Sequence, residues 1–112
     1  MLAQQYRLRS AADITRVYKR GVYGGSGGVL SVKAVNFGRP FSRLVVVVGK
    51  KVSKRAVTRN RIRRRIIESL RSRWATVLPG YDIVLSVHTD VSKMAKIILQ
   101  EHLEKALKRA GV

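Results

Sequence analysis

The 112-residue chain contains no cysteine, few acidic residues and no long hydrophobic run. The absence of cysteine excludes disulfides and zinc sites built on thiolates. The longest aliphatic run, Leu44 to Val48, is far shorter than the ~20 residues that a membrane-spanning helix needs. The N-terminal segment has no uninterrupted apolar stretch, which argues against a signal peptide. We therefore expect a cytoplasmic protein with no membrane partner.

Acidic residues are scarce, whereas basic residues are abundant. Six Asp and Glu stand against 24 Lys and Arg, which gives a net charge of +18 and an isoelectric point near 11.6. This balance predicts a polyanionic partner, with nucleic acid ahead of an anionic membrane. Hydrophobic residues make up 46% of the chain, which excludes disorder throughout. The length fits one domain, residues 1–112.

The positive charge is concentrated in the middle of the chain. Residues 50–73 contain 11 basic residues and 1 acidic residue, against 8 and 1 in residues 1–49 and 5 and 4 in residues 74–112. A basic run is often only a solvated helix face. Here self-repulsion opposes folding, and Glu68 is the single local counter-charge. We therefore expect a polyanion to supply the missing charge.

Periodic patterns predict three helices around one small sheet. Ser10 is the expected N-cap of a first helix that ends near Gly21, with Asp13 at the capping-box position. The later segments are a glycine-rich loop or hairpin (23–28), a strand (29–36), a turn (37–42), a buried valine-rich strand (43–49), a basic helix with Ser53 or Thr58 as cap (52–74), a strand (81–88) and a last helix that Asp90 or Ser92 caps and Gly111 ends. This order predicts an α+β fold, a two-layer α/β sandwich.

The basic helix combines an apolar stripe with arginines. At about 100° per residue, the apolar side chains from Ile62 to Trp74 fall within one broad face. Arg59 and Arg63 fall inside the same face, where an unpaired charge is rarely buried. We therefore expect the C-terminal half of this helix to pack on the sheet. The N-terminal half should project with arginines all round and bind phosphates.

The run AVTRNRIRRR, residues 56–65, resembles the signature of the bacterial ribonuclease P protein family. In that family an alanine is followed three residues later by Arg-Asn-Arg, then by an aliphatic residue and a basic pair. The likeness extends along nearly the whole chain, from Arg7-Leu8 through LPGYDIVL at residues 78–85 to Lys108-Arg109-Ala110-Gly111. The signature with its correctly placed flanks is far more specific than the Arg-Asn-Arg triplet alone.

The resemblance implies a fold and an activity. The fold has a mixed sheet of about four strands, the element order α-β-β-β-α-β-α, and a left-handed β-α-β crossover through the basic helix, against the usual hand. The family's protein is the accessory subunit of an endoribonuclease. The RNA subunit holds Mg²⁺ and removes the 5′ leader of precursor tRNA, which leaves the mature 5′ phosphate end. We expect Mg²⁺ to be bound mainly by RNA, no catalytic or metal-binding residue on the chain, and an isolated protein without activity.

The resemblance also assigns residues to the two RNAs. Those that face the RNA subunit are Lys50, Lys51, Lys54, Arg55, Arg59, Asn60, Arg61, Arg63, Arg64 and Arg65. The residues of a cleft between the first helix and the sheet, where the leader of precursor tRNA binds, are Arg9, Ile14, Tyr18 and Val32. No obligate protein partner is evident.

Four positions depart from the family pattern. Ile14 replaces a usual phenylalanine, residues 29–32 lack the usual aromatics, and Ile67 and His88 stand where basic residues are expected. A base stacked on an aromatic side chain gains ~1–3 kcal/mol. We therefore expect leader binding in this cleft to be weaker, or more apolar, than in the family generally.

Other interpretations remain open at this stage. A ribosomal or other structural RNA-binding protein, with no role in turnover, explains the charge and length equally well. A DNA-compacting protein gives no reason for the placement of Asn60. His88 and His102 lack metal-ligand spacing, so structural roles are expected, and Trp74 is expected in the core. Tyr18 fits the core and the leader cleft equally well.

Overall fold

A computed structural model describes residues 3–112. The elements are a short 3₁₀ turn (Gln4–Tyr6), α1 (Ala11–Arg20), β1 (Val22–Gly25), β2 (Leu30–Asn36), β3 (Arg43–Val48), α2 (Ala56–Trp74), β4 (Tyr81–Val87) and α3 (Lys96–Arg109). The predicted fold class and element order are confirmed. The start of the glycine-rich segment forms strand β1, which pairs with β2 as a hairpin.

The four strands form one mixed sheet in the order β1-β2-β4-β3. β2 pairs antiparallel with both β1 and β4, and β3 pairs parallel with β4. In this register Leu85 of β4 lies opposite Val32 of β2 on one side and opposite Val46 of β3 on the other. Because directly paired residues share a face of the sheet, these three side chains point to the same side.

The crossover from β3 through α2 to β4 is left-handed, and one hydrogen bond shows it. The Leu44 side chain faces the cluster that contains α2. Its carbonyl oxygen accepts from the Leu8 N–H at 2.9 Å, on the edge of β3 away from β4. For an L-residue viewed with its side chain toward the observer and the chain running upward, the carbonyl points right. Seen from α2, β4 therefore lies to the left of β3, which is the rare hand for this unit.

Apolar clusters lie on both faces of the sheet and differ in extent. The larger cluster fills the space between the sheet and helices α2 and α3. Its fully buried helix residues include Ile62, Ile66 and Leu70 of the predicted stripe, while Trp74 is half-buried with its ring 6.0 Å from that of Tyr6. The smaller cluster consists of Leu8, Val17 and Val84, with partly buried neighbours under α1. The short helix α1 thus covers its sheet face only in part.

The first helix begins as the sequence predicts, but α2 does not. The Ser10 hydroxyl oxygen accepts from the Asp13 N–H at 3.4 Å, which confirms Ser10 as the N-cap. Helix α2 begins at Ala56, four residues later than expected, and no side chain caps it. Ser53 instead accepts a hydrogen bond from the following connection, and Thr58 lies inside the helix. Both proposed caps were therefore wrong.

The last helix also begins later than expected, at Lys96. Asp90 does not cap it, because its carboxylate accepts from the Ser92 N–H at 2.8 Å in a turn that precedes the helix. Hydrogen bonds from the hydroxyl and N–H of Ser92 lower the pKa of the Asp90 carboxyl below its usual 3.8, and the positive charges of Lys93 and Arg61 act in the same direction. The carboxylate therefore stabilises the loop and not the helix.

Candidate nucleic-acid interface

Basic side chains from the β3–α2 connection and the start of α2 form one exposed surface, which we call the basic surface. Its members are Lys50, Lys51, Lys54, Arg55, Asn60, Arg61 and Arg64, all exposed. Residues 50–67 contain no acidic side chain, and Glu68 pairs with Arg71 further along α2, at 3.5 Å. In the part of the chain that the structure describes, no helix is both long enough and apolar enough to cross a membrane.

Two arginines of the signature bond to the protein's own main chain. Arg59 donates through Nη1 to two carbonyl oxygens of the β3–α2 connection, both at 3.0 Å. Arg63 donates to the Asn60 side-chain oxygen at 2.7 Å and, more weakly, to the Val48 carbonyl at 3.5 Å. The expectation of arginines projecting all round the helix start was therefore wrong. The arginines within the stripe are half-buried, and carbonyl oxygens compensate their charge.

Arg65 also has a structural role. It is half-buried, and its guanidinium donates to the Val91 carbonyl at 2.7 Å and to the Met94 carbonyl. Both carbonyls belong to the connection between β4 and α3, so Arg65 ties the middle of α2 to that connection. At about 100° per residue Arg65 falls outside the apolar stripe, but this side of α2 borders the β4–α3 connection and not solvent.

A groove of about 690 Å³ lies beside the basic surface, along the outer edge of β3. Its polar residues are Arg7, Arg9, Asn60, Arg63, Arg64 and Glu68, and its apolar residues are Leu8, Leu44, Val45, Val46 and Ile67. Ile67 therefore forms part of the apolar wall of the groove, at a position where the family pattern has a basic residue. The groove presents guanidinium groups beside aliphatic side chains, and the guanidinium groups can bind phosphates.

The opposite sheet face, beside α1, carries two of the residues that the resemblance assigns to the leader, and we call this surface the cleft. Tyr18 lines its wall with 42% of its surface exposed, and Ile14 is half-buried at the edge of the smaller cluster. Tyr18 is thus available to a ligand and does not belong to the core. The prediction for Val32 was wrong, because this side chain is completely buried in the larger cluster on the other face. The alternation of apolar Leu30, Val32 and Ala34 with polar Ser31 and Lys33 is the sequence signal that would have shown this.

Lys33 and Ser31 occupy the cleft face that was assigned to Val32, since successive strand residues alternate between faces. The Lys33 ammonium donates to the Tyr18 carbonyl at 2.9 Å and lies 5.9 Å from the centre of the Tyr18 ring. A cation is thereby held at the mouth of the cleft beside an exposed aromatic ring. The sequence reasoning missed Lys33 because it treated β2 as a block and did not assign its faces.

The two histidines make different contacts. His88, exposed at the end of β4, has its Nε2 2.7 Å from the Ser31 hydroxyl oxygen on the cleft face. His102 is half-buried on α3, and its Nδ1 lies 3.1 Å from the Ser26 carbonyl oxygen. His102 therefore holds the loop after β1 against α3. His88 borders the cleft and adds a ring nitrogen to its polar groups.

Asp82 lies in a buried ion-pair network that sequence reasoning missed. Its side chain is 0% exposed, and it accepts from Arg43 Nε at 2.9 Å and Nη2 at 2.8 Å. Arg39 adds a contact at 3.3 Å, and Arg43 also bonds to Asp13 of α1 at 3.1 Å. The hydrogen bond with Asp82 raises the pKa of Arg43, against the opposing effect of burial.

The carboxylates of the described chain do not form a metal site. Within residues 3–112, no three His, Asp or Glu side chains come close enough together to hold a metal ion. Asp82 and Asp13 are paired with arginines, and Glu104 pairs with Arg73 at 2.7 Å. This donor set does not fit a Mg²⁺ ion, so no step of a reaction is assigned to a metal on this protein.

Known proteins resemble this chain in sequence and in fold. The family model described as Ribonuclease P matches residues 2–111. The ribonuclease P protein component of Roseiflexus sp. is 37% identical over 99% of this chain and 90% of its own length, and that of Pseudanabaena sp. is 38% identical over 100% and 97%.

Solved structures agree with the sequence relatives. The RNase P protein of Staphylococcus aureus superposes with a TM-score of 0.80 at 30% identity, over 96% of each chain. That of Thermotoga maritima gives 0.80 at 28% identity, over 92% of this chain and 96% of its own. The basic surface beside an Arg-Asn-Arg helix start, the four-stranded mixed sheet and these relatives together show that the chain belongs to the ribonuclease P protein family.

Proposed function

We propose that this protein, a tRNA-processing subunit of ribonuclease P, uses two separate surfaces in the holoenzyme. The basic surface binds the RNA subunit. The cleft between α1 and the sheet binds the 5′ leader of precursor tRNA. The endonucleolytic step depends on Mg²⁺ held by the RNA subunit and the substrate, while the protein contributes binding and positive charge.

The observation that carries the first assignment is the continuous exposed charge of the basic surface. Arg61 and Arg64 present exposed guanidinium groups, which can bind phosphates through two nitrogens at once. Arg59 and Arg63 support this surface from behind, because they fix the β3–α2 connection and the Asn60 side chain. The three half-buried arginines therefore shape the surface, while the exposed residues make most of the phosphate contacts.

The second assignment is supported by the composition of the cleft. Single-stranded RNA is bound by cationic grooves that also offer aromatic surface. The cleft offers both, in Lys33 and Tyr18, with apolar Ile14 beside them. Arg9 lines the groove beside the basic surface and not this cleft, so its assignment to the leader rests on the family resemblance alone. Lys33 replaces Val32 in that set, while the buried Ser31 bonds to His88 at the edge of the cleft.

The protein's charge gives it a physical role in catalysis by the RNA. Precursor tRNA and the RNA subunit are both polyanions, and their approach requires counterions. A protein of net charge +18 supplies part of that charge at the interface. We therefore expect the holoenzyme to need less Mg²⁺ than the RNA subunit alone and to act in the cytoplasm, where tRNA is processed.

Reconstitution tests this function. The protein is combined with a bacterial ribonuclease P RNA and precursor tRNA at low Mg²⁺, and release of the 5′ leader is measured. We expect cleavage to be stimulated at the mature 5′ end. The double variant Lys105→Ala with Lys108→Ala removes two positive charges from α3. It serves as the charge-matched control for variants that remove two positive charges from the basic surface. Absence of stimulation across several matched RNAs would favour a structural RNA-binding protein instead.

A further inference from the structure

Strand β1 places an aromatic side chain on the cleft side of the sheet. The sequence pattern of β2 alone does not show this side chain. Tyr23 of β1 lies directly opposite Lys33 of β2, and Lys33 lies opposite Val84 of β4. Val84 belongs to the smaller cluster under α1. Because opposite residues of antiparallel strands share a face, Tyr23 also lies on the cleft side of the sheet. Its side chain is 61% exposed.

The Tyr23 ring rests on Gly25, the next residue of β1 on that face. A Cβ atom at Gly25 would lie 2.8 Å from the Tyr23 hydroxyl oxygen and 3.3 Å from two of its ring carbons. The ring therefore covers the glycine backbone, and the absence of a side chain at Gly25 allows it to do so. One side of the ring is supported in this way, while much of its surface remains open to solvent.

Polar groups adjoin this supported ring. Gly25 lies directly opposite Ser31, whose hydroxyl oxygen is 2.7 Å from His88 Nε2. Ser31 in turn lies opposite Ser86 of β4. Ser31 is only 9% exposed, so the exposed imidazole of His88 is the group that can donate to or accept from the edge of a base. Lys33, the next residue along this face of β2, offers a cation for a phosphate.

We propose that Tyr23 is a stacking platform for one nucleobase of the 5′ leader, with the exposed His88 at the edge of that base. This inference rests on the proposed leader binding in the cleft and deepens it. The strongly basic chain and the ammonium of Lys33 favour an RNA strand over a peptide as the occupant. The aromatic surface that β2 lacks is thereby supplied by the neighbouring strand.

The test compares binding of precursor tRNA and of mature tRNA by the holoenzyme. Tyr23→Ala should weaken binding of the precursor about 5- to 100-fold, the loss that one unstacked base gives. Binding of mature tRNA should not change. Tyr23→Phe keeps the ring and should bind the precursor nearly as well as the unaltered protein. Val22→Ala is the matched control, because Val22 is exposed on the same strand but lies opposite Ala34 and faces the other side.

The outcomes separate this inference from the function on which it rests. The leader should strengthen binding of precursor tRNA by the unaltered holoenzyme. If Tyr23→Ala does not reduce this increase in affinity, stacking on Tyr23 is wrong and leader binding in the cleft stands. If the leader gives no gain with the unaltered holoenzyme, both are wrong. Equal losses for Tyr23→Ala and Tyr23→Phe would also contradict stacking, since the ring is retained in the second variant. Replacing leader nucleotides one at a time by abasic residues should identify a single position at which Tyr23→Ala has no further effect.

Discussion

Arg43 donates two hydrogen bonds to the carboxylate of the completely buried Asp82, from Nε at 2.9 Å and from Nη2 at 2.8 Å. Arg43 is the first residue of β3, Asp82 is the second residue of the parallel strand β4, and the two lie opposite each other in the register. Arg43 also bonds to Asp13, so the same guanidinium connects both strands to α1. The Arg43 guanidinium, held by Asp82, thus fixes the first turn of α1 over the sheet.

We predict that Asp82→Asn destabilises the fold by about 3–5 kcal/mol, because it leaves the Arg43 charge without its buried partner. Urea unfolding followed by circular dichroism measures this difference. Asp13→Asn, which removes the more exposed partner of Arg43, should cost no more than about 1 kcal/mol. Similar losses for the two variants would show that burial does not distinguish these pairs.

The Asp90 carboxyl should titrate below 3.8, because hydrogen bonds from Ser92 stabilise its charged form in the folded protein. A lowered pKa stabilises the fold above the unfolded value, and this contribution is lost as the pH falls through the folded pKa. Titration followed by NMR measures the midpoint directly. Ser92→Ala removes the hydroxyl and keeps the N–H, so the midpoint should move part of the way back toward 3.8. A midpoint at or above 3.8 in the unaltered protein would contradict this account.

Arg61→Ala and Arg64→Ala should weaken binding of the RNA subunit and leave folding intact, because both side chains are exposed and lie off the apolar stripe. Each lost phosphate contact should reduce the slope of log K against log salt by about 0.7–0.9. Filter binding over a range of salt concentrations measures the slope. Lys108→Ala on α3 is the control and should change neither quantity. A variant with unchanged affinity, or with a collapsed melting temperature, counts against the assignment.

Arg65→Ala should behave differently from Arg64→Ala, although the two residues are adjacent. Arg65 donates to the Val91 and Met94 carbonyls, so its removal leaves carbonyl oxygens without a charged donor. We expect the free energy of unfolding to fall by about 2 kcal/mol. Arg64→Ala should leave it nearly unchanged. Thermal and urea unfolding of the two variants decide this, and equal stabilities would refute a structural role for Arg65.

Local patterns predicted the elements that depend on local chemistry. Helical periodicity found the buried stripe from Ile62 to Leu70, and the cap at Ser10 follows from residues three apart. The starts of α2 and α3 could not be predicted in this way. Ser53 and Asp90 had the right chemistry for caps, but both side chains bond within turns that precede the helices.

The sequence predicted only those parts of the candidate site whose residues lie in one contiguous segment. The exposed members of the basic surface lie within one short segment, so composition identified them. The cleft combines β1, β2 and the end of β4, and its faces depend on the register that pairs Tyr23 with Lys33 and Gly25 with Ser31. Pairing between strands is a long-range property, which explains why Val32 was assigned to the wrong face and Tyr23 was overlooked.

The isolated protein should not hydrolyse precursor tRNA at any Mg²⁺ concentration. Two-metal cleavage of a phosphodiester needs several carboxylates around ions ~4 Å apart, and no such group exists among residues 3–112. Asp82 is completely buried, and the imidazoles of His88 and His102 bond to separate groups, Ser31 and the Ser26 carbonyl. The assay uses protein freed of RNA by nuclease treatment and repurification, and adding back the RNA subunit should restore cleavage. RNA-free protein that cuts at the mature 5′ end would contradict the assignment of catalysis to the RNA subunit. It would require a catalytic group that residues 3–112 do not offer.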